Sequence, residues 1–364
     1  MTGVAQPLAP TAAPGRPQGG LFAFGRFMRR REPLLVVLSL AVFFFTYALE
    51  PSFGQRGNIS FLLADSMPLA VLAIGQTIVC LVRGIDLSVA PILGISCVSA
   101  GFYAQDYGTS IWPLIPLGVG IGFGLGLLNG LFVTYARIPP IVTTLGTLGI
   151  YGGLQELICG SSEINVVPPT YHTLGNGDFL PDVPYLLIVG VVVMVVMAFA
   201  LWKTPWGRAL YAIGNNIDAA FRAGIRVNLV LVSAYAVCGM LAGLAGLAWL
   251  VHIDYASSVT GSAESLQLWS IAAAMVGGVT LTGGKGGVIG ALLAAIFLDV
   301  CTNATLVAGI PVIWNSASVG VLLIIAILID YVQSGGYSLR QMFGGPLRAR
   351  LAAERGGTSA GGAK

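Results

Sequence analysis

Charge is what this chain has least of. Only 9% of its 364 residues are Asp, Glu, Lys or Arg, against roughly a quarter in a soluble domain. So few charges cannot cover a soluble all-α core of this size, which excludes that class. Histidine is nearly absent, with only His172 and His252, both expected in outer loops. The five cysteines (Cys80, Cys97, Cys159, Cys238, Cys301) lie in or beside apolar segments at no metal-ligand spacing. They read as small packing residues, and neither a resident metal nor a membrane-embedded acid–base enzyme is indicated. A phosphate loop is missing too. Gly283–Gly287 contains Lys285, but a Walker motif needs Ser or Thr after the Lys and Gly286 follows. That stretch reads as a tight turn. The chain is thus expected to bind no cofactor and hydrolyse no ATP; if ATP powers it, a separate subunit binds the nucleotide and Mg.

What the chain does have is apolar length. Hydrophobic residues make up 56%, glycines number 50 and mean hydropathy is +0.86. These values describe an all-α, polytopic integral membrane protein. Ten spans are predicted, at about 34–50, 60–82, 87–104, 112–135, 141–159, 184–203, 229–251, 267–282, 287–306 and 314–331. The third, eighth and ninth are short or glycine-rich, so broken or re-entrant segments are expected among them. Residues 1–32 read as a disordered tail, 33–332 as the transmembrane domain with a connecting loop at 204–227, and 333–364 as a second tail. The Arg26–Arg31 cluster resembles the start of a signal peptide, but no small-residue cleavage site follows Leu34–Leu49, so a retained first helix is expected.

Charge placement orients the spans. With the N terminus inside, 17 of the 18 basic residues fall on one face and only Arg56 on the other. The positive-inside rule then puts both termini in the cytoplasm. The net charge of +3 needs no nucleic acid to explain it; lipid is the expected surroundings. The glycines at 118, 120, 122, 124, 126 and 130 contain small-xxx-small pairs, which suit close helix packing. Polar residues inside spans are costly and count as site candidates: Asp65, Gln76, Asn129, Gln155, Glu156, Asp299 and Asn303. Asp299 and Asn303 share a helix face and either pair or line a path. Trp249, Trp269 and Trp314 fall near outer span ends, as interfacial anchors do.

The stretch Gly214-Asn-Asn-Ile-Asp-Ala-Ala-Phe-Arg-Ala-Gly-Ile-Arg226 is too short and too polar to span. It reads as a short helix capped by Asn215 or Asn216, with Asp218 in the first turn, Arg222 in the last and Gly224 ending it. Such a helix either docks a partner or is a plain connector. Elsewhere, Asp86 in Arg83-Gly-Ile-Asp-Leu-Ser-Val89 reads as a cap for the next helix. Pro139-Pro140 opens the fifth span, and Thr143, Thr144 and Thr147 either bond their own helix carbonyls or face a polar path.

These stretches together resemble the ribose-type (monosaccharide) permeases of ATP-binding-cassette (ABC) importers, over about Leu62 to Asp330. The loop with Gly-Asn, Ala-Ala and Gly-Ile is similar to that family's coupling loop. Gly-Ile-Asp-Leu-Ser88 is similar to its strongest signature, with Arg83 where Gly is usual. Pro-Ile-Val-Thr-Thr-Leu-Gly-Thr147 carries Ile141 where Phe is usual, and the stretch from Glu264 to Gly287 has Ser270 where Asp or another polar residue is usual. The resemblance implies a transport subunit of the inner membrane, not an enzyme. It implies coupling to an ATPase through Gly214, Asn215, Asn216, Ala219, Ala220, Phe221, Arg222 and Gly224. The candidate path residues are Asp86, Ser88, Asn129, Thr143, Thr144, Asp299 and Asn303. Implied partners are the ABC ATPase subunit, a periplasmic or lipid-anchored sugar-binding protein, and a second permease chain, identical or a close paralogue. The alternative is a stand-alone ion-coupled secondary transporter of a small polar solute, with Asp65 and Asp299 as its ionisable residues.

Overall fold

A computed structural model describes residues 31–311, except 109, 161–162, 165–168 and 182, together with positions 314, 317, 320, 321 and 324. The tenth predicted span and both tails therefore lie largely outside the described residues. Among the described residues, twelve bounded α-helices follow one another: α1 (Arg31–Leu49), α2 (Arg56–Leu81), α3 (Val89–Tyr107), α4 (Leu114–Thr134), α5 (Pro140–Cys159), α6 (Pro169–Asn176), α7 (Tyr185–Lys203), α8 (Pro205–Asn215), α9 (Ile217–Arg222), α10 (Val227–Ile253), α11 (Leu266–Val276) and α12 (Val288–Val307). Two short antiparallel strands, β1 (Asp178–Leu180) and β2 (Val183–Pro184), lie between α6 and α7. Among the described residues, six helices are long and apolar enough to cross a membrane: α1, α2, α4, α7, α10 and α12. The chain is thus a mostly helical, polytopic membrane protein.

The bundle is built around α2 and α10. Gly118, Gly122, Gly126 and Gly130 of α4 face α10, and a Cβ on Gly122 would run into the carbonyl oxygen of Gly239. In the reverse direction, a Cβ on Gly243 would run into the carbonyl of Gly118. The two backbones touch because glycine leaves nothing between them, so these glycines serve packing as expected. On its other sides α10 packs against α2 and α3.

Helix ends follow local chemistry. Pro140 sits in the first turn of α5, where no intrahelical amide bond is lost. Thr204 caps α8, its hydroxyl accepting from the Gly207 amide at 3.1 Å, with Pro205 next. The eighth predicted span, 267–282, is the one of the three suspect segments that proves broken. Helix α11 has only 11 residues, about 16 Å at 1.5 Å per residue, and ends at Gly277. The stretch before it enters the bundle without helical structure: Ser257 and Thr260 are buried and Gly261 lies against Ala90 of α3. Irregular backbone at such depth needs internal partners. The Gln155 side-chain amide of α5 supplies them, donating to Ser257 O and Thr260 O at 3.1 Å each. By contrast, α3 and α12 run unbroken for 19 and 20 residues.

Candidate functional site

The 204–227 connection forms two helices, not one. Gly214 and Asn215 end α8, and Asn216 is the hinge between α8 and α9. The Asn216 side chain caps α9, accepting from the Ala219 amide at 3.0 Å. Asp218 lies in the first turn and Arg222 in the last, and Gly224 takes the left-handed conformation at φ +81°. Only Ala220 of α9 is buried. Ala219 and Arg222 are exposed, and Phe221 is 72% exposed. The Phe221 ring is thus held out from a capped helix. Gly214 is buried: a Cβ there would strike the Leu81 carbonyl oxygen and the Gly284 amide. Three chain segments (Leu81, Gly214 and Gly284) thus meet backbone to backbone, and Gly284 N donates to Leu81 O at 2.9 Å.

Five residues further along, Asp86 is fully buried. It does not cap α3 directly. One carboxylate oxygen accepts from the Ser88 amide at 2.9 Å and the Ser88 hydroxyl at 2.7 Å, the local turn that Asp favours. Asn129 of α4 donates to the Ser88 hydroxyl at 2.7 Å and to the other Asp86 oxygen at 3.5 Å. Tyr151 of α5 donates to Asn129 Oδ1 at 3.2 Å. The Gln76 amide of α2, with its NH2 on the Asp86 carbonyl, bonds the Asp86 main-chain N and O at 3.1 Å each. Thr144 donates to Ile85 O at 3.1 Å and to Pro140 O in its own helix at 3.0 Å. Burial pushes the Asp86 carboxyl above its usual range, opposed by the Ser88 hydroxyl and amide and the Asn129 amide. The 84–88 turn is thus a polar knot bound to α2, α4 and α5.

Helix α5 is inside out. Thr144, Thr147, Tyr151 and Gln155 are buried on one face. Ile141, Val142, Leu145, Ile150, Leu154 and Leu157 are exposed on the other, and Gly146, Gly149 and Gly153 have open space beside them. Polar residues turned inward with apolar ones outward is the pattern of a helix in lipid or against another apolar surface.

The knot gathers four of the candidate path residues: Asp86, Ser88, Asn129 and Thr144. Thr143 is buried beside it, its hydroxyl 3.5 Å from Ile138 O. Asp299 and Asn303 are not part of it. They sit on α12 and face α2 near the opposite end of the bundle: Asp299 lies beside Asp65, and Asn303 accepts from Asn58 at 3.2 Å. His252 is a correction: it is buried in the last turn of α10, not in a loop, and its Nε2 lies 3.3 Å from Asp65. Sequence reasoning counted Gln76 among the polar residues inside spans but not among the path residues, and it did not single out Tyr151. Gln76 had a signal, an amide in an apolar run; Tyr151 had none, since a tyrosine in a span is ordinary. A cavity of about 350 Å³ between Trp202, Gly277–Gly278 and Gly286–Gly287 touches none of these groups.

The structure is thus a multi-pass helical bundle with a capped, exposed helix on one connection and a buried polar knot behind it. The chain belongs to the branched-chain amino acid transport system / permease component family, which matches residues 58–327. It is 34% identical over 301 residues to the autoinducer 2 import system permease protein LsrC of Yersinia enterocolitica, covering 82% of each chain. The proteins of the same name from Photorhabdus laumondii and Klebsiella pneumoniae are each 33% identical, covering 82% and 83% of this chain and 89% and 87% of theirs. No solved structure matches. The relatives are permease components of import systems rather than enzymes, and the chain is a multi-pass protein of the inner membrane.

Proposed function

We propose that this chain is the membrane-spanning permease subunit of an ABC importer and that, with a second permease chain, it encloses the route by which a small sugar-like solute enters the cell. The observation that carries the reading is α9: capped at Asn216, closed at Gly224, and presenting Phe221 to solvent. A separate ATPase, holding ATP and Mg, docks there. A periplasmic or lipid-anchored binding protein delivers solute to the opposite end. The weighting of basic residues supports cytoplasmic termini and a cytoplasmic α9. Closure of the ATPases moves α8 and α9 and tips the bundle between inward- and outward-facing states. The chain's work is a two-state change, not bond chemistry. The autoinducer 2 named for the relatives makes it the first solute to try, ahead of ribose.

The test is co-purification of the full chain with its candidate ATPase, followed by ATP hydrolysis and autoinducer 2 uptake in vesicles. Wild type should form the complex and import with ATP. Phe221→Asp should dissociate it. Gly224→Pro should do the same, because proline cannot adopt φ +81°. Uptake that needs no ATPase and collapses with ionophores would overturn the importer reading.

A further inference from the structure

Helix α2 ends in a double-bonded turn: Gly84 N donates to Val79 O and Arg83 N to Cys80 O, both at 3.0 Å. This motif places one residue in the left-handed region, usually glycine. Here that residue is Arg83, at φ +65°. A long side chain held there is strained and persists only where its surroundings fix it. The side chain shows what fixes it. Arg83 Nε donates to Gly214 O at 2.7 Å and Nη2 to Asn215 O at 2.8 Å. These are two successive carbonyls at the C-terminal end of α8, where a cation is favoured and where no amide of α8 follows to use them. The planar guanidinium fork fits such a pair as an ammonium cannot.

The direct path from α9 to the start of α5 is interrupted by a cavity. A cavity of about 190 Å³ lies between Ile213 and Ile217 on one side and Pro140 and Tyr235 on the other, with Arg83 and Gly84 in its wall. A push from α9 would not reach the start of α5 through packed side chains there, since a void transmits nothing. Arg83, by contrast, is three residues from Asp86, along a turn held by Gln76, Thr144 and Asn129.

We propose that Arg83 is a positioning residue that links the α8–α9 junction to the Asp86–Ser88–Asn129 knot and carries movement from one to the other. The assignment rests on the importer reading above. It explains a strained arginine where glycine would be at ease: the side chain is retained for its two bonds to α8.

The experiment uses the full chain with its ATPase in phosphatidylethanolamine/phosphatidylglycerol nanodiscs, trapped with MgATP and orthovanadate. Hydrogen exchange is read at 217–222 and at 84–90. In wild type, trapping should change exchange in both segments. Arg83→Gly keeps the α2 turn and removes the fork; it should fold with an unchanged or raised Tm, still respond at 217–222, and lose roughly tenfold of its response at 84–90. Arg83→Met, which keeps the stem and lacks donors, should behave alike, and Arg83→Lys should restore part of the response. A wild-type response at 84–90 in Arg83→Gly or Arg83→Met overturns the proposal. If the ATPase does not bind the wild-type chain, or trapping changes neither segment, the importer reading fails and the proposal fails with it. Solute uptake per ATP supplies a second readout: it should fall in Arg83→Gly while hydrolysis continues, which a purely structural cap would not cause.

Discussion

Helices α4 and α5 are neighbours rich in glycine, and they use it in opposite ways. Along α4, Gly118, Gly122, Gly126 and Gly130 are pressed against the α10 backbone, with no room for a methyl group. Along α5, Gly146, Gly149 and Gly153 border open space, beside exposed Leu145 and Ile150. One row closes a seam inside the chain. The other leaves a smooth face unused within it, backed by a buried row of hydroxyl and amide groups. The difference shows that glycine in a membrane helix marks close approach only when a second backbone is there to meet it. It also divides the protein into a fixed frame (α2, α4, α10) and a helix that the frame holds by its polar side.

Breaking the seam should have the largest effect. Gly122→Leu should destabilise the fold by about 3 kcal/mol or more, because Gly239 is backbone and cannot turn aside; the folded fraction after detergent extraction should drop sharply. Next comes the polar back of α5. Asp86→Ala strips acceptors from the Ser88 amide and from Asn129 and should cost about 2 kcal/mol, read as a fall in Tm. Asp86→Asn should cost less, since burial already favours the neutral group. Asn216→Ala removes the α9 cap and should cost about 1 kcal/mol locally, seen as faster hydrogen exchange at 217–222 with the rest of the bundle unchanged. At the bottom of the scale, Gly149→Leu should leave monomer stability within about 0.5 kcal/mol, measured by thermal unfolding in detergent. If Gly149→Leu proves as damaging as Gly122→Leu, the contrast between the two rows is wrong.

The sequence made the α4 side of this contrast readable and hid the α5 side. A run of glycines at four-residue spacing states close packing directly, and α10 offers Gly239 and Gly243 at the same spacing. In Pro140–Cys159 only the scattered polar residues, Thr144, Thr147 and Gln155, hinted at the buried face, because in lipid the apolar face points outward and periodicity loses its usual sense. The capping pattern at 216–224 was legible because each residue acts within a few positions of itself. The hinge at Asn216 was less so, since Gly214 and Asn215 suit a helix start as well as a helix end. Arg83 counted only as one of the basic residues on the inner face and as a departure from Gly; its bonds to Gly214 and Asn215 depend on a fold that brings together segments far apart in the chain. His252 looked like a loop residue because α10 runs longer than its apolar stretch implies, to Ile253. The glycines of 267–282 announced a broken segment, and the helix is 11 residues long, ending at Gly277-Gly278; which of the three suspect spans would break was not legible.

The seam between α4 and α10 also bears on how the protein is made. Its two halves leave the ribosome far apart in time, with α5 to α9 synthesised between them. Until α10 enters the bilayer, the grooved side of α4 has no partner and Gly118–Gly130 face lipid. The frame therefore closes late, and a nascent chain that stops before Val227 carries an open groove along α4, the kind of surface by which quality-control proteases and insertion chaperones can tell an unfinished membrane protein from a finished one.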